Sequence, residues 1–240
     1  MTKKDEIVTE IKSKGYWVIN IRPVLYKEKL ITNRAIVKQV VRNAVVELRG
    51  WDYPHFSNRA EETYTIMNGI ETAFSWENHI EFWRMTQSGN FFHLLALRED
   101  RTDLSTFSNM WSSDKNLNEK KLLAVLGTLY TIIEIFEFTN RLIKQETFTN
   151  NLIISIELHD IYTRQLWVDR QNRLPFSYER GSHSEEPWQW NEEYKLNNFS
   201  GNMESNILKT YLDLIELFGW ENPPVNVFRN DIQKFLAGKI

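Results

Sequence analysis

The chain has 240 residues with 32 acids against 29 bases, so its formal net charge of -3 gives no general attraction for nucleic acid or anionic lipid. Apolar residues at 42% and aromatics at 13% are enough to bury a substantial core and exclude a disordered chain. With no cysteine, disulfides, thiolate catalysis, iron–sulfur clusters and cysteine-ligated zinc are excluded together.

The first six residues lack the apolar stretch of a secretory signal and carry Asp5 and Glu6, which transit peptides avoid, so a cytoplasmic protein is expected. Residues 5–14 read as a first helix, with Ile7, Val8 and Ile11 at helical spacing and Gly15 as a stop. Residues 16–22 alternate, placing Trp17, Ile19 and Ile21 on one face of a strand that Pro23 ends. Residues 32–42 are helix-like or loosely structured. Residues 45–49 return to strand composition, immediately before Arg49-Gly50-Trp51-Asp52-Tyr53-Pro54-His55-Phe56.

Residues 70–76 alternate again, 77–85 carry a short helical pattern, and 91–97 are apolar on both faces, as suits a central strand covered on both sides. The pattern over 118–144 is helical and long, the central helix of the core. Its apolar run, 122–133, is twelve residues, short of the ~20 a membrane span needs. No membrane association is expected. Residues 151–160 form a strand with Leu152, Ile154, Ile156 and Leu158 inward, and 164–168 read as its hairpin partner. Residues 169–202 are polar and without a clear period, a long loop. Residues 203–218 form an amphipathic helix stopped by Gly219, and a last helix spans 227–236 after Pro223-Pro224. Together these elements predict one α+β domain over residues 1–240, with a mixed or antiparallel sheet packed against a long central helix and C-terminal helices.

Recognisable phosphate cradles are missing, both the glycine-rich dinucleotide fingerprint and the glycine–lysine–serine/threonine loop, and there is no G-x-S-x-G elbow or H-E-x-x-H pair. His55, His79, His93, His159 and His183 show no ligand spacing, so no metal or cofactor is expected. Arg49 and His55 match the arginine-to-histidine spacing of some helical ribonucleases, but Gly50 and Pro54 intervene and Pro54 breaks such a helix. His159-Asp160 spells the central pair of the HD phosphohydrolases, at the end of a β-patterned run without partner histidines. Residues 98–103, or Glu47, Glu71 and Glu157 on one sheet, offer carboxylates to magnesium, without the D-x-D or E-x-K spacing of a nuclease. Trp188 and Trp190, near Arg170, Arg173 and Arg180, are candidates for stacking on bases or for anchoring a protein partner, in a segment that also carries five glutamates.

Two segments stand out as a specialised surface: Arg49 to Phe56, and Gln87-Ser88-Gly89-Asn90-Phe91-Phe92-His93. Either Trp51, Tyr53 and Phe56 cover the edge of the core, or Arg49, Asp52, Tyr53 and His55 rim a ligand or partner pocket, with the Gln87 to His93 turn beside it at the same end of a sheet. These motifs, with Trp83-Arg84 and Leu217-Phe218-Gly219-Trp220, resemble a family of uncharacterised bacterial proteins. That resemblance implies a soluble bacterial single-domain protein and a setting beside antiphage defence genes, but no activity. The expected function is a non-catalytic binding, adaptor or sensor subunit for a protein partner or small ligand, using Arg49, Trp51, Asp52, Tyr53, His55, Ser88, His93, Trp188 and Trp190. The alternative is a nucleic-acid-binding protein or a metal-dependent nuclease.

Overall fold

The computed structural model describes residues 2–56, 63–104, 117–149, 151–170 and 172–239. Its centre is a seven-stranded sheet, antiparallel throughout, formed by β1 (Tyr16–Pro23), β4 (Thr63–Ile66), β5 (Gly69–Trp76), β6 (His79–Thr86), β7 (Phe91–Ala96), β9 (Leu152–His159) and β11 (Trp188–Tyr194). The spatial order is β11-β9-β1-β7-β6-β5-β4. Strands β4 to β7 form a meander, whereas β1 sits between β7 and β9, pairing Ile19 with His93 on one side and Ile156 on the other. Two small sheets lie outside it: β2 (Val46–Glu47) with β3 (Asp52–Tyr53), and β8 (Leu122–Ala124) parallel to β10 (Gln165–Trp167).

Alternation divides the sheet into two faces. Trp17, Ile19 and Ile21 of β1, with Phe91 and Leu95 of β7, enter the main core beneath α2 (Arg34–Ala44), α3 (Val125–Lys144), α4 (Leu196–Glu216) and α5 (Val225–Leu236). Ile80, Phe82, Leu94 and Ala96 point the other way, into a smaller cluster closed by Ile7 and Ile11 of α1 (Lys3–Lys12). This is the α+β architecture expected, with β7 at the middle of the sheet and covered on both sides. Helix α3 is apolar around most of its surface because it lies inside, bounded by the sheet and the other helices. No helix of the described residues is long and apolar enough to cross a membrane.

The local differences from expectation have physical causes. Residues 79–86 are strand, not helix: the two-residue turn Glu77-Asn78, with Glu77 at φ 52°, folds β6 onto β5, and Glu81, Trp83 and Met85 alternate with Ile80, Phe82 and Arg84. The helical spacing of the same residues arises because both faces of β6 are buried. The segment 164–168 pairs in parallel with β8 instead of forming a hairpin with β9, and β8 takes the first residues of the expected helix. The supposed loop at 169–202 contains β11 and the start of α4. Its inward set, Trp188, Trp190 and Tyr194, was masked by Gln189, Asn191 and two glutamates between them.

Fully buried Arg164 ties together the end of the sheet where β1 begins and β7 stops. Its guanidinium donates to both oxygens of Asp100 at 2.8 Å and to the Leu122 carbonyl at 2.7 Å, and it reaches the Asp160 carboxylate at 3.4 Å. Asp100 also accepts from the Gly15 amide, and a Cβ on Gly15 would collide with both side chains. A larger residue would have to displace these side chains.

Candidate functional site

The Arg49–Phe56 segment is a short hairpin laid across the main face of the sheet. Val46 pairs with Tyr53 and Glu47 with Asp52, and the loop between turns at Gly50, whose φ of 77° suits a residue without Cβ. Tyr53 and Val46 are buried against the core. Beyond the turn, the Asp52 carboxylate accepts from the Phe56 amide at 2.8 Å and binds His55 Nδ1 at 2.6 Å. The His55 amide donates to Glu81 Oε1 and its carbonyl accepts from Trp83 Nε1, both at 2.8 Å, so β6 holds the segment by its backbone.

Glu81 is the hub below. It is 1% exposed and binds His93 Nε2 at 2.7 Å and His79 Nε2 at 3.1 Å. Burial alone would raise its carboxyl, but the hydrogen bonds and charge of His79, then of His93, carry it well below the ordinary carboxylate range. As a carboxylate it accepts from both rings, and Nδ1 of His93 lies 3.3 Å from the Tyr53 hydroxyl. Burial, then the charges of Glu134 and Glu81, keep that tyrosine protonated by raising its pKa well above 10.0.

Beside this network lies a cavity of about 300 Å³ between the hairpin, the end of β7 and the first half of α3. Its walls include Trp17, Trp51, Leu95, Leu97 and Trp167. Arg49 donates to Glu134 Oε2 at 2.7 Å, to Thr131 Oγ1 at 3.1 Å and to the Gly127 carbonyl at 3.4 Å. Glu134 is almost fully buried, and burial lifts its carboxyl to about 7 despite Arg49. Exposed Arg98 also lines the cavity, without a hydrogen-bond partner for its guanidinium among the described residues. Asp169 accepts from the Leu126 and Gly127 amides and Glu99 from the Ala124 amide, which satisfies the start of α3. Burial raises both of these carboxyls. Three buried polar atoms of lining residues, Trp51 Nε1, Thr128 Oγ1 and Glu134 Oε1, have no partner among the described residues.

Arg49, Trp51, Asp52, Tyr53, His55 and His93 therefore come together. Ser88 does not: it bonds Thr86 in the β6–β7 turn, where the Gln87 side chain holds the Ile31 and Thr32 carbonyls. That turn joins the opposite ends of β6 and β7 from those at the cavity, and the two segments meet where His93, in mid-strand, contacts Tyr53. Trp188 and Trp190 are buried on β11 beneath α4, donating to Asp213 and to Tyr194. Neither presents a free ring face to a base or a partner.

Several of the other acids and histidines have structural partners. His159 stacks on Tyr16 and binds Glu157, while Asp160 pairs with Lys121 and Arg164. Glu71 is held by Arg84 and Lys4 on the α1 face, separated from Glu157 by the three strands β6, β7 and β1, and on a different sheet from Glu47. Among the described residues, no three His, Asp or Glu side chains are grouped to hold a metal. Arg49 and His55 lie on a hairpin rather than a helix face, and each is paired with a carboxylate.

Sequence reading missed Glu81, Arg98, Thr128 and Glu134. Glu134 offered one clue, a lone acid directly after a twelve-residue apolar run, which on an internal helix must be buried. Compared with protein-family models, with curated proteins and with solved structures, the chain matches none.

Proposed function

We propose that the protein is a non-catalytic binding module, a sensor subunit that holds a small molecule in the cavity between α3 and the Arg49–Tyr53 hairpin. The observation carrying this reading is one cavity walled by the rings of Trp17, Trp51 and Trp167 together with the polar side chains of Arg49, Thr128 and Glu134. The volume lies at the low end of the roughly 300–1,000 Å³ range of small-molecule pockets, and its mix of rings with a few polar atoms is typical of them. A protein partner that responds to the ligand belongs to this reading, and an antiphage complex is the setting the bacterial resemblance implies. The nucleic-acid alternative draws less support, because its two tryptophans lie in the core and its acids are dispersed.

Titration of a library of small polar compounds, followed by NMR of the backbone and indole N–H groups, tests the proposal. Hits should shift the Trp51 indole and the Gly127 and Thr128 amides. Thr128→Phe, which fills the cavity, should abolish them. Hits that leave these resonances unmoved, or that bind Thr128→Phe equally well, would end the ligand-site reading.

A further inference from the structure

We infer that the outer flank of α2, with the segment leading into it, docks an acidic, leucine-bearing stretch of a partner protein. Residues 27–42 hold Lys27, Lys29, Arg34, Lys38 and Arg42 against a single acid, Glu28, a local charge of +4. The whole chain carries -3, so everything outside this segment sums to -7. All five bases are exposed. Lys27, Lys29, Arg34 and Lys38 have no side-chain partner among the described residues, whereas the exposed bases Lys121, Lys209 and Arg229 are each paired with a carboxylate. The Arg42 guanidinium lies over the Phe56 ring at 5.1 Å.

This arrangement works against the helix that carries it. Arg34, Lys38 and Arg42 follow one another at four-residue spacing, so each stands one turn, roughly 6 Å, from the last and repels it. Arg34 also occupies a first turn without an acid, where the helix dipole disfavours a cation. Burial of Val37, Val40, Val41 and Ala44 on the inner side keeps the helix packed in spite of this. Carboxylates laid along the outer flank would remove the repulsion. The lead-in is fixed by the Ile31 amide on the Gln87 carbonyl and by the Gln87 side chain on the Ile31 and Thr32 carbonyls, which holds Lys27 and Lys29 close to the start of α2.

Two observations favour a protein over a nucleic acid. Leu25 and Tyr26 are 62% and 78% exposed just before the bases, and Ile36 is exposed among them. Aliphatic side chains gain nothing from phosphates but pack against apolar residues of a protein. The -7 outside the segment would also repel a long polyanion running past α2, whereas an acidic stretch matching this eleven-residue helix, roughly 16 Å, ends where the positive charge does. None of these residues lines the cavity, so the surface is distinct from it, and α2 runs on directly into β2 of the cavity hairpin.

Fluorescence anisotropy of a fluorescein-labelled peptide repeating Glu-Glu-Leu, titrated with the full chain, tests this. A peptide of the same length repeating Lys-Lys-Leu and a single-stranded oligothymidylate of equal negative charge are the comparisons. The acidic peptide should bind, the basic one should not, and added salt should weaken the complex. The double variant Arg34→Gln, Lys38→Gln should weaken it about tenfold with no loss of melting temperature. Lys234→Gln, at an exposed lysine of α5, should leave it unchanged. Leu25→Ser should weaken the leucine-bearing peptide and spare a polyglutamate of the same charge. Tighter binding of the oligothymidylate than of the acidic peptide overturns the choice of a protein partner. Equal affinity of wild type and double variant removes the partner from α2, and no binding of the acidic peptide overturns the inference outright. These readouts are separate from the shifts of Trp51, Gly127 and Thr128 that report on the cavity.

Discussion

Glu134 and Glu81 are buried carboxyls of the same main face, pushed in opposite directions by their neighbours. Glu134 is paired with Arg49 and lies in the field of Arg98, but near-complete burial outweighs both, and its carboxyl sits at about 7 in place of 4.5. In the unfolded chain it releases its proton near 4.5, whereas the folded protein retains it until about 7, so stability falls as pH rises across that window and levels off above it. The loss is on the order of 3 kcal/mol. Glu81, held below the usual range by His79 and His93, adds stability above its unfolded value that is lost as pH falls, a separate and more acidic window. Urea unfolding at pH 5 and pH 8 should show the decline in the wild type and a much flatter response in Glu134→Gln. An equally steep decline in the variant would mean that Glu134 is ionised in the folded protein throughout. Arg49 is likewise no indifferent surface residue, since its loss would leave Glu134 without a counter-ion.

The elements at the cavity depend on one another for their ends. Helix α3 has no side-chain cap from Ala124, its own first flanking residue, and takes its capping instead from Asp169, which is distant in sequence and follows β10. Pairing of β10 with β8 brings that carboxylate to the Leu126 and Gly127 amides. Asp169→Ala should therefore cost about 1–2 kcal/mol, in the range of a lost helix cap, and Asp169→Asn less. Circular dichroism melts of the three proteins check this. Equal melting temperatures for Asp169→Ala and wild type would mean that water replaces the cap without loss.

Over the whole molecule, protection should follow burial of each strand rather than distance from the sheet's middle. Both β4 and β11 are edge strands, yet β4 has four residues, none of them buried, while β11 buries Trp188, Trp190 and Tyr194 under α4. Hydrogen exchange should thus find the β11 amides bonded to β9 nearly as slow as β9 itself, and the β4 amides fastest in the sheet. Fast exchange throughout β11 would show that α4 does not hold that edge. Slow exchange there would also set residues 188–194 apart from the long loop that their polar composition suggests.

Local periodicity was sufficient for most helices, for β1, β5, β7 and β9, and for the α+β class, because a one-sided burial pattern repeats within a few residues of the chain. It also singled out Arg49 to Phe56, whose rings and charges form the hairpin beside the cavity. It failed where burial is two-sided, as in β6, or where polar residues fill the outer face of an edge strand, as in β11. The site itself depends on contacts between residues far apart in sequence. Arg49 finds Glu134, Asp169 caps α3 and Tyr53 reaches His93 only after the sheet and helices have packed. Side-chain spacing along the chain carries no record of such pairings, so the cavity and its unpartnered atoms are products of tertiary packing alone.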